Sequence, residues 1–151
     1  MIIKRILADE ANLVVKLFDN YRVFYKQASD IEVAKLFINA RLSNNESVIF
    51  VAFDADDIAV GFTQLYPKYS SARASKNWIL NDLFVAETHR KQGIGESLIK
   101  TAMEFGKNNQ ATFIQLETAK DNYTAQSLYK AMGFVEQPVS DDFLMFKIAV
   151  S

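Results

Sequence analysis

Apolar and polar positions alternate in two rhythms along this chain. Between residues 13 and 25 the apolar side chains Leu13, Val14, Leu17, Phe18, Tyr21, Phe24 and Tyr25 recur at helical spacing, with Asp9 upstream as a candidate cap. Ser29-Asp30-Ile31-Glu32 has capping-box spacing and predicts a second helix to about Leu42, which Ser43-Asn44-Asn45 ends. Shorter apolar runs at residues 2–7, 48–53 and 58–66 predict strands. The second and third flank Asp54-Ala55-Asp56-Asp57, so they read as an antiparallel hairpin. Residues 67–77 are polar and serine-rich, which predicts a mobile loop.

The pattern sharpens from Trp78 onward. Residues 78–85 are apolar except for Asn81 and Asp82, and a polar connection at 86–89 leads into Arg90-Lys91-Gln92-Gly93-Ile94-Gly95. Past Gly95, the residues Leu98, Ile99, Ala102 and Met103 fall on one helical face. Residues 112–118 predict a strand. Ala125, Leu128, Tyr129 and Met132 then give a helix that Gly133 punctuates, and short strands near 134–137 and 143–150 finish the chain. The order is β-α-α-β-β-β-α-β-α-β-β. A strand–helix–strand unit over residues 78–118 requires a parallel, right-handed crossover. The fold class is therefore α/β of the α+β kind: one domain over residues 1–151, with a mixed, mostly antiparallel sheet and helices on both faces.

A buried strand that turns through glycines into a helix gathers unpaired backbone N–H groups and the positive end of a helix dipole at one point. Such a point binds phosphate. Two phosphate-binding fingerprints fail here. The dinucleotide motif needs a third small residue at position 98, which is Leu98. A Walker loop needs Gly-Lys-Ser/Thr, whereas Glu96-Ser97 follow Gly95.

Arg90-x-x-Gly93-x-Gly95, after a strand ending Leu83-Phe84-Val85, resembles the acyl-CoA pyrophosphate loop of the GNAT family of N-acetyltransferases. Downstream, the stretch Asn122-Tyr123-Thr124-Ala125-Gln126-Ser127-Leu128-Tyr129-Lys130-Ala131-Met132-Gly133-Phe134 is similar to that family's N-x-x-A-x-x-L-Y-x-x-x-G-F segment. The resemblance covers the chain from about residue 48 onward and is weaker before it. It implies an acyl-CoA N-acyltransferase fold in which two parallel strands splay, with the pantetheine arm between them. It also implies acetyl-CoA as cosubstrate, no metal, and direct attack of a primary amine on the thioester. Phe84 and Val85, the stretch Arg90, Lys91, Gln92, Gly93, Ile94, Gly95 and Glu96, and Asn122 and Tyr129 would hold the cosubstrate. Tyr129 would also protonate the departing thiolate.

Acetyltransferases of the polyamine and diamine type carry Glu-Asp in the strand before the loop, and the matching pair here is Asn81-Asp82. Asn81 cannot be a base. Within that catalytic pair Asp82 is the candidate, acting through water or by holding the ammonium group. Tyr25 and Glu117 are candidate substrate contacts, and with Asp82 the latter would favour an acceptor with a second positive charge. Each residue also has a plainer reading. Arg90 and Lys91 can be surface cations, Tyr129 a core tyrosine, Asn122 only a helix cap, Asp82 a buried carboxylate satisfied by its neighbours, and Glu117 an exposed strand end.

Composition narrows the picture further. The absence of cysteine excludes a thiol nucleophile, and one histidine, His89, offers no metal constellation. A net charge of −1 gives no general attraction to nucleic acid. No apolar run is long enough for a membrane span, and the start of the chain lacks a signal-peptide layout, so the expectation is a cytoplasmic protein. The expected partner is a small-molecule amine, with a homodimer left open as an assembly. Protein-lysine or N-terminal acetylation, a non-catalytic acyl-CoA sensor and an unrelated nucleotide-binding module stand as alternatives.

Overall fold

A computed structural model describes residues 1–150 and divides them into two compact units, the first spanning Met1–Glu117 and the second beginning at Thr118. The first unit holds a five-stranded sheet in the order β1-β2-β3-β4-β5. Its strands are β1 (Ile2–Ile6), β2 (Val48–Phe53), β3 (Ala59–Ser70), β4 (Ser75–Val85) and β5 (Ile114–Gln115). The pairs β1–β2, β2–β3 and β3–β4 are antiparallel, and β4–β5 is parallel, as the crossover requires.

Helices cover both faces of the sheet. On one side α1 (Asn12–Phe24) and α2 (Ile31–Ser43) bury Val14, Leu17, Phe18, Ala34 and Ile38 against Ile49, Val51, Phe62 and Phe84. On the other, α3 (Ile94–Asn108) sets Phe105 edge-on to Phe50 and Trp78. Strand alternation explains the division, because Ile49 and Val51 point one way along β2 and Phe50 the other.

Several local expectations are corrected. Asp9 lies in a short turn of 3-10 helix (Ala8–Glu10) and does not cap α1, whose first turn has no side-chain cap. Asp30, not Ser29, caps α2 by accepting from Val33 N–H at 3.1 Å, while Ser29 donates to Asp19 at 2.6 Å. The stretch expected to be a mobile loop is instead the far half of a long hairpin, paired from Pro67↔Trp78 to Ser70↔Ser75. Its arms are solvated strands, held by ladder hydrogen bonds and by Lys76 stacked over Tyr69 and Trp78, so apolar alternation does not mark them.

The second unit contains α4 (Tyr123–Ala131), capped by the Asn122 side chain, which accepts from Ala125 N–H at 3.2 Å. Gly133 ends it at φ 100°, a left-handed conformation suited to glycine. The two strands expected after it do not form: no residue from 134 to 150 is in a strand. Apart from the half-buried Phe134, their apolar side chains, Phe143 and Phe146 among them, are exposed. An apolar run creates a demand for burial, but a strand also needs a ladder partner.

Candidate active site

Two irregularities in β4 shape the site. The first is a bulge. Gln64 pairs with Asp82 while the next residue of β3, Leu65, pairs with Leu80, so Asn81 has no register partner. The extra residue reverses the alternation. Phe84 packs beneath Tyr21 on the α1 side, whereas Trp78 packs on Phe105 of α3. The second irregularity is the parting from β5. Only Trp78 and Ile79 pair with β5, so from Leu80 to Val85 one edge of β4 has no strand beside it among the described residues. That edge leads through residues 86–93 to the N-terminus of α3. An open edge carries unpaired backbone donors and acceptors, which an amide-bearing chain can pair with.

The turn into α3 is built from left-handed residues. Lys91 has φ 62° and Gly93, the N-cap of α3, has φ 81°. At Gly95, in the first turn, an added Cβ would meet only the Val85 side chain, at 3.9 Å. The space over the α3 N-terminus is therefore clear of protein on that side, and the first-turn N–H groups have no intrahelical partner. Anion binding is the chemistry such a terminus supplies. Arg90 is exposed and lies back along the end of β4. Its Nε donates to the Val85 carbonyl at 3.0 Å, and its guanidinium lies over the rings of Phe24 and Phe84. Lys91 and Gln92 are exposed, Ile94 is buried, and Glu96 pairs with Lys100 one turn on.

Asp82 is the buried acid of this region, only 2% exposed. Gln64 Nε2 donates to one carboxylate oxygen at 2.6 Å and Asn81 Nδ2 to the other at 2.7 Å. Ser47 donates to Gln64 at 2.8 Å, which fixes the orientation of that amide. The Tyr21 hydroxyl closes the cluster, with a long contact of 3.5 Å to the Asn81 carbonyl. Burial pushes the Asp82 carboxyl above the ordinary carboxylate range, and the hydrogen bonds from Asn81, Gln64 and Tyr21 offset only part of that. A carboxylate raised in this way is a stronger base than an exposed one. Tyr21 and Tyr66 are both raised, chiefly by burial and next by the charge of Asp82.

The structure thus brings together Asn81, Asp82, Phe84, Val85 and the stretch from Arg90 to Glu96. Tyr25, at the end of α1, is exposed and packs tilted against Tyr21 at 4.9 Å between ring centroids. Glu117 is exposed beyond the end of β5. Asn122 caps α4, and Tyr129 is half-buried on the same helix, its ring 5.9 Å from that of Phe134. Gln64, Ser47, Tyr21 and Tyr66 are members of the cluster that sequence reasoning missed. A glutamine within the apolar run Gly61-Phe62-Thr63-Gln64-Leu65 was the available signal. Among the described residues there is no group of three metal-ligating side chains, and no helix is long and apolar enough to cross a membrane.

Comparison with known proteins gives a consistent result. The profile of the acetyltransferase (GNAT) family matches residues 14–134. The uncharacterised N-acetyltransferase YhfO of Bacillus subtilis is 41% identical over 136 residues, which is 90% of this chain and 91% of its own length. A probable acetyltransferase of Haemophilus influenzae is 33% identical over 126 residues, covering 83% of this chain and 84% of that one. A crystal structure of a probable acetyltransferase, 34% identical, superposes with a TM-score of 0.89 over 100% of this chain and 99% of its own.

Proposed function

The chain belongs to the acetyltransferase (GNAT) family, and from that premise we propose that it transfers the acetyl group of acetyl-CoA to a primary amine of a small molecule by direct attack. The observation that carries the reading is the open β4 edge, from Leu80 to Val85, leading into the Gly93 turn at the α3 N-terminus. Backbone along that edge, at Phe84 and Val85, would pair with the amides of the pantetheine arm. The residues from Arg90 to Glu96 would receive the pyrophosphate, with Gly95 leaving room for close approach. Asn122 belongs to the cosubstrate-holding set by its match to the family's N-x-x-A-x-x-L-Y segment. The family profile runs across both units, which supports reading residues 1–151 as one acetyltransferase domain.

Acetyl-CoA supplies an activated thioester carbonyl and a thiolate leaving group. The chain's own residues handle the protons. An amine of lysine-like pKa, near 10.4, is mostly protonated at neutral pH and must lose a proton before attack. Asp82 would take it, through a water molecule because the carboxylate is buried. As the nitrogen–carbon bond forms and the carbon–sulfur bond breaks, Tyr129 would donate toward the sulfur. A phenol near 10 donating to a thiolate near 8.5 is uphill by roughly 1.5 units, about 2 kcal/mol. Tyr129 therefore contributes as much by hydrogen-bonding the developing charge as by completing the transfer. Tyr25 and Glu117 would meet the acceptor, the protein acting in the cytoplasm as a monomer or homodimer.

An acetyl-CoA consumption screen over polyamines, amino acids, aminoglycosides and lysine peptides, run beside CoA calorimetry, tests the reading. Turnover with a small amine supports it. Turnover confined to peptides moves the assignment to protein acetylation, and CoA binding without any turnover makes the protein a sensor.

A further inference from the structure

Beside the Asp82 cluster opens a cleft of about 550 Å³, lined by Phe37 and Arg41 of α2, Glu46 in the turn that follows, and Tyr66, Pro67 and Tyr69 of β3. Along β3, Gln64 and Tyr66 point to the same face and sit roughly 7 Å apart. Gln64 is hydrogen-bonded to Asp82, so Tyr66 stands next to the buried acid and also forms the cleft wall. The Tyr66 phenol is raised by burial and then by Asp82, lowered by Arg41 and raised by Glu46. One hydroxyl thus feels Asp82 on one side and the Arg41–Glu46 pair on the other.

Arg41 is held ready. It lies one helical turn from Phe37, with its guanidinium carbon 4.4 Å from the centroid of that ring. Its Nε donates to Glu46 at 3.1 Å, and the Glu46 N–H donates back to the Arg41 carbonyl at 2.8 Å. The two Nη groups make no hydrogen bond to protein among the described residues. A planar fork with stem and Nε already fixed matches a carboxylate and loses little side-chain entropy in binding one. The charge balance points the same way. A smaller cleft of about 190 Å³ adjoins the first at Glu46, Pro67 and Tyr69 and adds Arg5 and Lys76 to its lining. Across the two clefts, Arg5, Arg41 and Lys76 face Glu46 as the sole carboxylate.

We propose that this cleft holds the far end of the acceptor and that this end is a carboxylate gripped by Arg41, which makes the acceptor an amino acid or a related amino-carboxylate with its amine directed toward Asp82. The inference rests on the amine-acetylation reading, which concerns only the reacting end. It sets aside a second positive charge on the acceptor, the preference that Asp82 and Glu117 suggest from sequence alone.

Matched acceptors test it: an ω-amino acid, the diamine and the monoamine of equal chain length, with chain length varied across the set and α-amino acids added. The amino acid should exceed both partners in kcat/KM by about 10- to 100-fold, the scale of charge-assisted hydrogen bonds. In Arg41→Gln the ratio of amino acid to monoamine should fall toward one, mainly through KM, and Arg41→Lys should recover part of it. Each ratio is internal to one protein sample, so partial misfolding does not mimic the result. A preferred diamine, equal rates across a set, or a ratio unchanged in Arg41→Gln overturns the inference while amine acetylation stands. A panel in which CoA binds but no amine is acetylated overturns both.

Discussion

A methyl group added at Gly95 should move the fold and the ligand in opposite directions. Gly95 sits in the first turn of α3, outside the left-handed region, and a Cβ placed on it meets nothing closer than Val85 Cγ2 at 3.9 Å. Alanine therefore costs the native state little and removes backbone freedom from the unfolded chain, a gain of about 0.4–1 kcal/mol. For a chain of this size that raises Tm by roughly 1–4 °C. Gly93 supplies the contrast. With φ 81° and no atom within 4 Å, its requirement is conformational and not steric, so Gly93→Ala should lower stability. The cost is about 1–2 kcal/mol, the penalty for holding an L residue left-handed. On the ligand side, the proposed pyrophosphate site puts a methyl at Gly95 where phosphate oxygens would approach the α3 N–H groups. Losing one charge-assisted hydrogen bond costs about 1.5–3 kcal/mol, or roughly 10- to 150-fold in Kd. Melting without ligand and calorimetry with CoA, on wild type and both variants, separate the two effects. Gly95→Ala should melt higher than wild type and bind CoA more weakly. If it melts higher and binds CoA within about twofold of wild type, the α3 N-terminus does not receive the pyrophosphate.

Other expectations follow from single residues. Tyr129→Phe should lower kcat by about 10²- to 10⁴-fold while leaving CoA affinity within about twofold; a rate within threefold of wild type would return Tyr129 to a packing role. Asp82→Asn should remove the rising limb of the pH–rate profile, which in wild type lies above the ordinary carboxylate range because burial raises this group. A raised carboxyl contributes stability that is fully present below about pH 4 and is lost as pH climbs through the folded value, so wild type should gain on the variant in melting experiments as the solution is acidified. Asp19 has the opposite sign. Hydrogen bonds from Ser29 at 2.6 Å and Asp30 N–H at 2.8 Å hold it low, so its stabilisation is present above about pH 4 and is lost as pH falls through the folded value. Asp19→Ala should cost about 2–4 kcal/mol at neutral pH, with the gap closing in acid; a gap that stays constant with pH would remove the charge from that account.

Legibility tracked how far each feature depends on local pattern. The residues of β2 are buried along their whole length, and Val14, Leu17 and Phe18 of α1 and Leu98, Ile99 and Ala102 of α3 fall where periodicity puts them. The glycine turn was legible because Gly93 and Gly95 sit between an apolar strand and an amphipathic helix. The hairpin arms were not, since Lys68, Tyr69 and Lys76 hold a ladder without burying an apolar face. At the other extreme, residues 143–150 are apolar at every position but Lys147 yet form no ladder, so apolar content overstated structure there. Asp82 stood out as an acid within an apolar run. Its link to Gln64, and through Gln64 to Ser47, was not legible, because those contacts depend on pairings between strands, and those are set by register.

The bulge at Asn81 shows why register mattered most. With unbroken alternation Asp82 and Leu80 would share a face, and Asp82 could not lie opposite Gln64 while Leu80 lies opposite Leu65. One inserted residue turns the acid toward Tyr21 and Gln64, and it leaves Leu80 and Trp78 on the side that α3 covers. That inserted residue is also the position at which the polyamine-type enzymes carry glutamate. With asparagine there, the bulge residue donates its amide to Asp82 at 2.7 Å and adds no second carboxylate. A second negative charge at that distance would oppose ionisation of Asp82 and lift it further. The asparagine instead steadies the ionised form, so the cluster carries a single acid, which is what the proposed role of Asp82 as base requires.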